Sequence, residues 1–115
     1  MHIIVAGSRT FNDYELLKAK LDFFTQNQHE IVVISGCAKG ADQLGERWAE
    51  ERGHKVERFP AKWNVHGRRA GFIRNVVMAD NADAVVVFWD GQSRGIKHML
   101  ELARKRGLPL RVVRY

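Results

Sequence analysis

The stretch Ser35-Gly36-Cys37-Ala38-Lys39-Gly40-Ala41-Asp42 gathers two glycines, a hydroxyl, an amine and a carboxylate between an apolar β-branched run, Ile31 to Ile34, and an amphipathic helical pattern. Such a strand-to-helix loop suits an anion. Its glycines let backbone approach a ligand, and the free N–H groups at the helix start favour negative charge such as phosphate. The same glycines can equally serve packing. Gly7-Ser8-Arg9 offers backbone donors, a hydroxyl and a guanidinium, a set suited to phosphate or carboxylate, or else a turn with an exposed arginine. Asp90-Gly91-Gln92-Ser93-Arg94-Gly95 is a third polar, glycine-bearing segment, and Trp63, Asn64 and His66 mark a fourth.

Several side chains carry alternatives. Asp42, in a first helical turn, could cap the helix, bond ribose hydroxyls or pair with Arg74. Trp63 and Trp89 could stack on a base, or pack in a core or a dimer contact. Cys37 could be a reactive thiol near a helix start or a small residue filling a tight loop. The histidines at 2, 29, 54, 66 and 98 have no metal-ligand spacing, so no metal site is expected, and no Ser-His-Asp set can be assembled.

These loops need elements to hold them. His2 to Ala6 reads as a buried strand, and Asn12 with Glu15 resembles a capping box opening a helix over 13–27, with Leu17, Leu21 and Phe24 on one face. A second strand spans Glu30 to Ser35. The helix after the opening loop places Ala41, Leu44, Gly45, Trp48 and Ala49 at helical spacing, and Gly53 ends it. Lys55 to Phe59 is a third strand stopped by Pro60, and 61–67 reads as irregular.

A third helix over 68–80 carries an apolar stripe of Ala70, Ile73 and Val77, with Arg74 on the same face. A buried charge there must find a partner or an opening. Ala84 to Trp89 is the strongest strand. The last helix turns Ile96, Met99, Leu100 and Ala103 inward and is closed by Gly107 and Pro109, and Leu110 to Arg114 is a fifth strand. Alternating strands and helices predict one Rossmann-like, three-layer α/β domain over 1–115 with a mostly parallel five-stranded sheet. Ligands of such sheets bind outside the carboxyl ends of the strands, where every flagged loop falls.

Composition narrows the class. Apolar residues make up 45% and charged residues 28% of 115, as in an ordinary globular chain. The apolar runs are too short to span a bilayer and no leader-like pattern opens the chain, so a cytoplasmic protein with no membrane partner is expected; a single cysteine fits a reducing compartment. Residues 1–51 hold 5 Lys/Arg against 8 Asp/Glu, and residues 52–115 hold 14 against 5, so the halves carry −3 and +9. The basic half suits a phosphorylated small molecule, a nucleic-acid surface or a solvated face.

Five motifs in order carry a resemblance: Gly7-Ser8-Arg9, Ser35-Gly36-x-Ala38-x-Gly40-Ala41-Asp42, Phe59-Pro60-Ala61-x-Trp63, Ala70-Gly71-x-x-Arg74-Asn75-x-x-Met78 and Phe88-Trp89-Asp90-Gly91-x-Ser93-x-Gly95. Together they resemble the small YspA-like proteins of the SLOG superfamily, which is related to Smf/DprA and LOG proteins. The resemblance implies a Rossmann-like fold and a nucleotide or nucleotide-derived ligand across the strand ends. Gly7, Ser8, Arg9, Ser35, Gly36, Gly40, Arg74, Ser93 and Gly95 would serve its phosphates, with Asn75 and Gly91 in the same motifs. Asp42 and Asp90 are the candidates for ribose hydroxyls, and Trp63 or Trp89 for the base.

LOG-like relatives are phosphoribohydrolases that use an arginine and a glutamate. Arg74 corresponds to that arginine, but Ile96 stands where threonine is usual and Met99 fills the glutamate slot. A thioether can neither stabilise a ribosyl cation nor move a proton. The expectation is therefore a module that binds or senses a nucleotide-like molecule. A phosphoribohydrolase using Asp42 or Asp90, and DprA-like single-strand nucleic-acid binding, are the alternatives. No cofactor or catalytic residue is assigned, and a homo-oligomer is expected because relatives of the fold pair through helices.

Overall fold

The computed structural model describes residues 1–115 and contains one five-stranded sheet with helices on both faces. The strands are β1 (His2–Gly7), β2 (Val32–Ser35), β3 (Lys55–Arg58), β4 (Ala84–Trp89) and β5 (Leu110–Arg114). Their order is β3-β2-β1-β4-β5 and every pairing is parallel, with Ile3 beside Val33 on one side and beside Ala84 on the other. The order reverses between β1 and β4. A crevice at the carboxyl ends of the strands is the geometric result of that reversal.

Period-2 alternation divides the core into two layers. Ile3 and Val5 of β1 and Val86 and Phe88 of β4 pack under α1 (Tyr14–Phe24) and α2 (Ala41–Arg52), where Leu17, Leu21 and Trp48 are buried. Ile4, Ala6, Val85 and Val87 face the opposite side, against α4 (Ala70–Asp80) and α5 (Arg94–Lys105), where Met78, Ile96, Met99 and Leu100 meet them. Both faces of β1 and β4 are covered, so these strands read as unbroken apolar runs.

Four features differ from the sequence-based expectation, each for a local reason. Asp13 caps α1, accepting from the Leu16 N–H at 3.1 Å, and Thr25 closes it by donating its hydroxyl to Leu21 O at 2.7 Å, so the helix stops before residue 27. Glu30 has φ +54°, a left-handed conformation that interrupts extension, and β2 begins only at Val32. The segment expected to be irregular forms a helical turn, α3 (Trp63–His66), followed by a 3₁₀ turn over Gly67–Arg69.

The fourth difference is the largest. Ala70 is buried as expected, but Ile73 and Val77 are 37% and 42% exposed, while Asn75, Met78 and Ala79 share the buried face. That rotation carries Asn75 into the interior. No helix is long and apolar enough to cross a membrane.

Candidate functional site

A cavity of about 300 Å³ opens at the carboxyl end of β1, between the first turn of α2, the α3–α4 segment and the start of α5. That is the lower end of the size range of small-molecule sites. Its floor is apolar, made by Ala6, Met78, Ile96 and Met99. Its rim is cationic, because Arg9 reaches it from the loop after β1 and Arg68 and Arg74 from the segment after β3, and Trp63 and Phe72 add an aromatic side. Arg9 and Arg68 are exposed and join none of the ion pairs of the molecule.

Arg74 is held, not free. Its Nη1 donates to the carbonyls of Gly36 and Phe59, and its Nε donates to Asn75 Oδ1 at 3.1 Å. Carbonyl oxygens satisfy the charge expected to need a partner, and burial still pulls its pKa below the ordinary arginine value. Asp42 approaches the same loop from the other side and is 4% exposed. Its Oδ2 accepts from the Ala38 N–H at 3.2 Å. Burial nevertheless pushes its pKa up to about 6, outweighing that bond and the nearby Arg74 charge, which favour the carboxylate. Desolvation thus dominates for both members of the pair.

The glycines of the first two loops meet other loops. A β-carbon on Gly36 would stand 2.7 Å from Arg74 Nη1 and 2.8 Å from Asp42 Oδ2. Gly40, at φ +90°, lies against the carbonyls of Ser8 and Arg9, where a β-carbon would stand 2.6 and 2.7 Å away. Gly7 is crowded by Phe88 O and by Ala41 Cβ. Close approach of backbone accounts for Gly40 and, with the Ala41 methyl, for Gly7, whereas at Gly36 the space is taken by the side chains of Arg74 and Asp42.

Ser8 is equally internal, at 2% exposure. Its N–H donates to Phe88 O at 2.9 Å and its Oγ accepts from the Asp90 N–H at 3.1 Å, which ties the loops after β1 and β4 together across the strand-order reversal. Ser35 is fully buried, donating to Glu46 Oε2 at 2.6 Å and accepting from the Cys37 N–H.

The structure therefore brings together Gly7, Arg9, Asp42, Trp63, Arg74 and Asn75, with Ser93 and Gly95 from the last loop. The remaining candidates lie behind them. Trp89 turns to the α5 side, donating Nε1–H to Ser93 O, with the Arg114 guanidinium 5.1 Å over its ring. Asp90 Oδ1 accepts from the Gln92 and Ser93 N–H groups, an Asx turn whose donors hold its pKa below the usual range. Gly91, at φ +85°, completes that turn beside Arg114. Ser93 then caps α5 by accepting from the Ile96 N–H, and the helix start at Gly95 faces the cleft.

Arg68 and Phe72, which no motif marked, also line the cavity, together with the motif residue Gly71. The signal for Arg68 was its place in a glycine-flanked basic segment after β3, on the ligand side of the sheet. Cys37 sits at φ +65° with its thiol near Ser35 O, and burial raises its pKa, so it behaves as a loop filler and not as an activated nucleophile. No three His, Cys, Asp or Glu side chains cluster in a way that could hold a metal ion.

A family model described as YAcAr, the YspA, cpYpsA-related SLOG family, matches residues 1–66. The gene 61 protein of Mycobacterium phage D29 is 34% identical over 115 aligned residues, covering 94% of this chain and 92% of its own length. Among solved structures, the C-terminal domain of a hydrogenase from Pyrococcus furiosus superposes with a TM-score of 0.50 over 96% of this chain and 89% of its own, at 17% identity, a likeness of fold alone.

Proposed function

The chain belongs to the YspA, cpYpsA-related SLOG family, and from that premise we propose that its strand-end cleft binds a nucleotide or nucleotide-derived molecule bearing phosphate and ribose. The observation that carries this reading is the convergence of Arg9, from the loop after β1, with Arg68 and Arg74, from the segment after β3, on one cavity. Guanidinium groups match phosphate oxygens in a planar, two-pronged geometry. The N-terminal end of α5 adds backbone N–H groups beside them, and Trp63, 51% exposed at the rim, is the side chain placed to cover a base.

The floor argues for binding without bond cleavage. Met99 lines the cleft with Ala6, Met78 and Ile96, so a thioether occupies the place where LOG-like enzymes would present their glutamate. Asp42 is the one carboxylate in the lining, and its Oδ2 is engaged by Ala38. Calorimetry against AMP, ADP, GMP and ADP-ribose tests the reading. At least one should bind to the wild type and lose affinity in Arg68→Ala; heat-silent titration with all four rejects it. Chromatography of the same mixtures for free base or ribose phosphate tests the hydrolase alternative.

We also propose that the protein works as a homodimer in the cytoplasm. Support for the pairing comes from α4 and the residue that caps it, since Arg69, Ile73, Val76 and Asp80 recur at i, i+4, i+7 and i+11 on an outward face, with Val77 beside them. A two-fold antiparallel pairing would set apolar centres together and Arg69 opposite the partner's Asp80, which Arg106 of its own chain also engages.

A further inference from the structure

Arg74 has five N–H groups. One on Nε goes to Asn75 Oδ1 and those on Nη1 go to Gly36 O and Phe59 O, which leaves Nη2 for the cleft. Nη2 lies 3.9 Å from where a β-carbon on Gly71, a cleft-lining residue, would stand. The guanidinium is therefore clamped on three sides and open on one.

Asn75 holds that clamp from within α4. It is 5% exposed, and its Nδ2 donates to Gly95 O at 3.1 Å and meets His98 Nδ1 at 3.2 Å. Two of its partners permit no choice of role: a carbonyl can only accept, and an arginine Nε can only donate. The amide orientation follows, both its hydrogens are consumed, and His98 Nδ1 has to be the lone-pair nitrogen. Neutral His98 consequently carries its proton on Nε2.

We infer that Asn75 is a positioning residue that aims Arg74 into the cleft, and that protonation of His98 on Nδ1 undoes this by setting two donors face to face. Asn75 can meet an Nδ1–H only by turning its amide, which places Nδ2 against Arg74 Nε and Oδ1 against Gly95 O. Arg74 then loses its acceptor. The inference rests on the anion-binding reading of the cleft.

The surroundings of His98 set the working range. Phe72 of α4 stands edge-on at 4.7 Å, Arg69 flanks the same groove, and Arg94, Lys97 and Glu101 face it from α5. Burial lowers the His98 pKa below 6.5, with Glu101 opposing. The ring is neutral at physiological pH and gains its proton below that value.

The test combines ¹⁵N nuclear magnetic resonance of the imidazole and Arg74 Nε with calorimetry of inorganic pyrophosphate, at about pH 7.5 and about pH 5.5. Asp42 titrates in the same range, so wild type is compared with His98→Gln, whose Oε1 can accept the same amide hydrogen without titrating. Expected are an Nε2–H tautomer at the higher pH, an Arg74 Nε resonance that shifts further on acidification in the wild type than in the variant, where Asp42 alone titrates beside it, and an acid loss of pyrophosphate affinity about tenfold larger in wild type than in the variant.

Asn75→Asp, which places an acceptor opposite Nδ1, should raise the His98 pKa over that of the wild type. An Nδ1–H tautomer, or an Arg74 Nε resonance following the same pH course in both proteins, overturns the inference. If pyrophosphate binds neither protein, the anion-binding reading falls, and the tautomer and Arg74 Nε resonance still decide the positioning role.

Discussion

Gly36 and Arg74 are in mutual contact so close that the guanidinium occupies the space a β-carbon would need: the gap to Nη1 would be 2.7 Å. The same β-carbon would stand 2.8 Å from Asp42 Oδ2. Gly36→Ala must therefore displace a charged group anchored by three acceptors. It is expected to cost about 1–3 kcal/mol in urea unfolding and to weaken nucleotide binding as well. Unchanged binding with the stability loss alone would show that Arg74 does not serve the ligand.

The three rim arginines should separate by behaviour. Arg9→Ala and Arg68→Ala remove exposed, unpaired cations, so each should lower nucleotide affinity by about tenfold while leaving the melting temperature where it was. Arg74→Ala orphans Gly36 O and Asn75 Oδ1 and should lower both. Thermal shift and calorimetry on the three variants distinguish the cases, and equal effects on folding from all three would contradict the division.

Asp42 makes stability depend on pH with an uncommon sign. Its folded pKa of about 6 lies above the unfolded value of 3.8, so the folded chain keeps a proton that the unfolded chain has released. Stability is full below 3.8 and falls as pH rises through about 6, by a total of about 3 kcal/mol. Asp42→Asn should therefore stabilise the protein at pH 8, and this gain should vanish near pH 4, as read from urea midpoints at the two values. A variant less stable than wild type at pH 8 would mean that the attraction to Arg74 outweighs desolvation.

Self-association through α4 is tested at Ile73. Ile73→Glu places a charge at the centre of the outward apolar face and should convert a sedimenting dimer to monomer with little change in the fold. Arg69 joins no ion pair within the chain, and Arg69→Glu should weaken the dimer as well by facing the partner's Asp80. A wild type that sediments as a monomer at high concentration rejects the pairing.

The sheet and its loops were legible because β1 and β4 are covered on both faces and advertise themselves as apolar runs, while turn residues mark their ends. The buried face of α4 was not. That helix carries apolar groups almost all round, Phe72, Ile73, Val76 and Val77 outward and Ala70, Met78 and Ala79 inward, so periodicity alone could not choose. What decides is Asn75, whose partners Gly95 and His98 come from α5.

Motif glycines were legible as positions and not as roles, since a strand-end glycine that touches a ligand and one that touches a neighbouring loop look alike in one dimension. Asp90 and Ser93 likewise read as ligand groups, yet they first build the turn and cap that start α5.

Gly40, pressed against the Ser8 and Arg9 carbonyls, locks the first two loops into one unit. Neither can be reshaped without the other, so half of the cleft is inherited as a fixed block. Trp63, Arg68 and Phe72 are bound by no such crossing and stand exposed on the segment after β3. Relatives that share the glycine loops can differ in what they bind by rewriting that one segment, and a designer wishing to change the ligand of this protein would begin there.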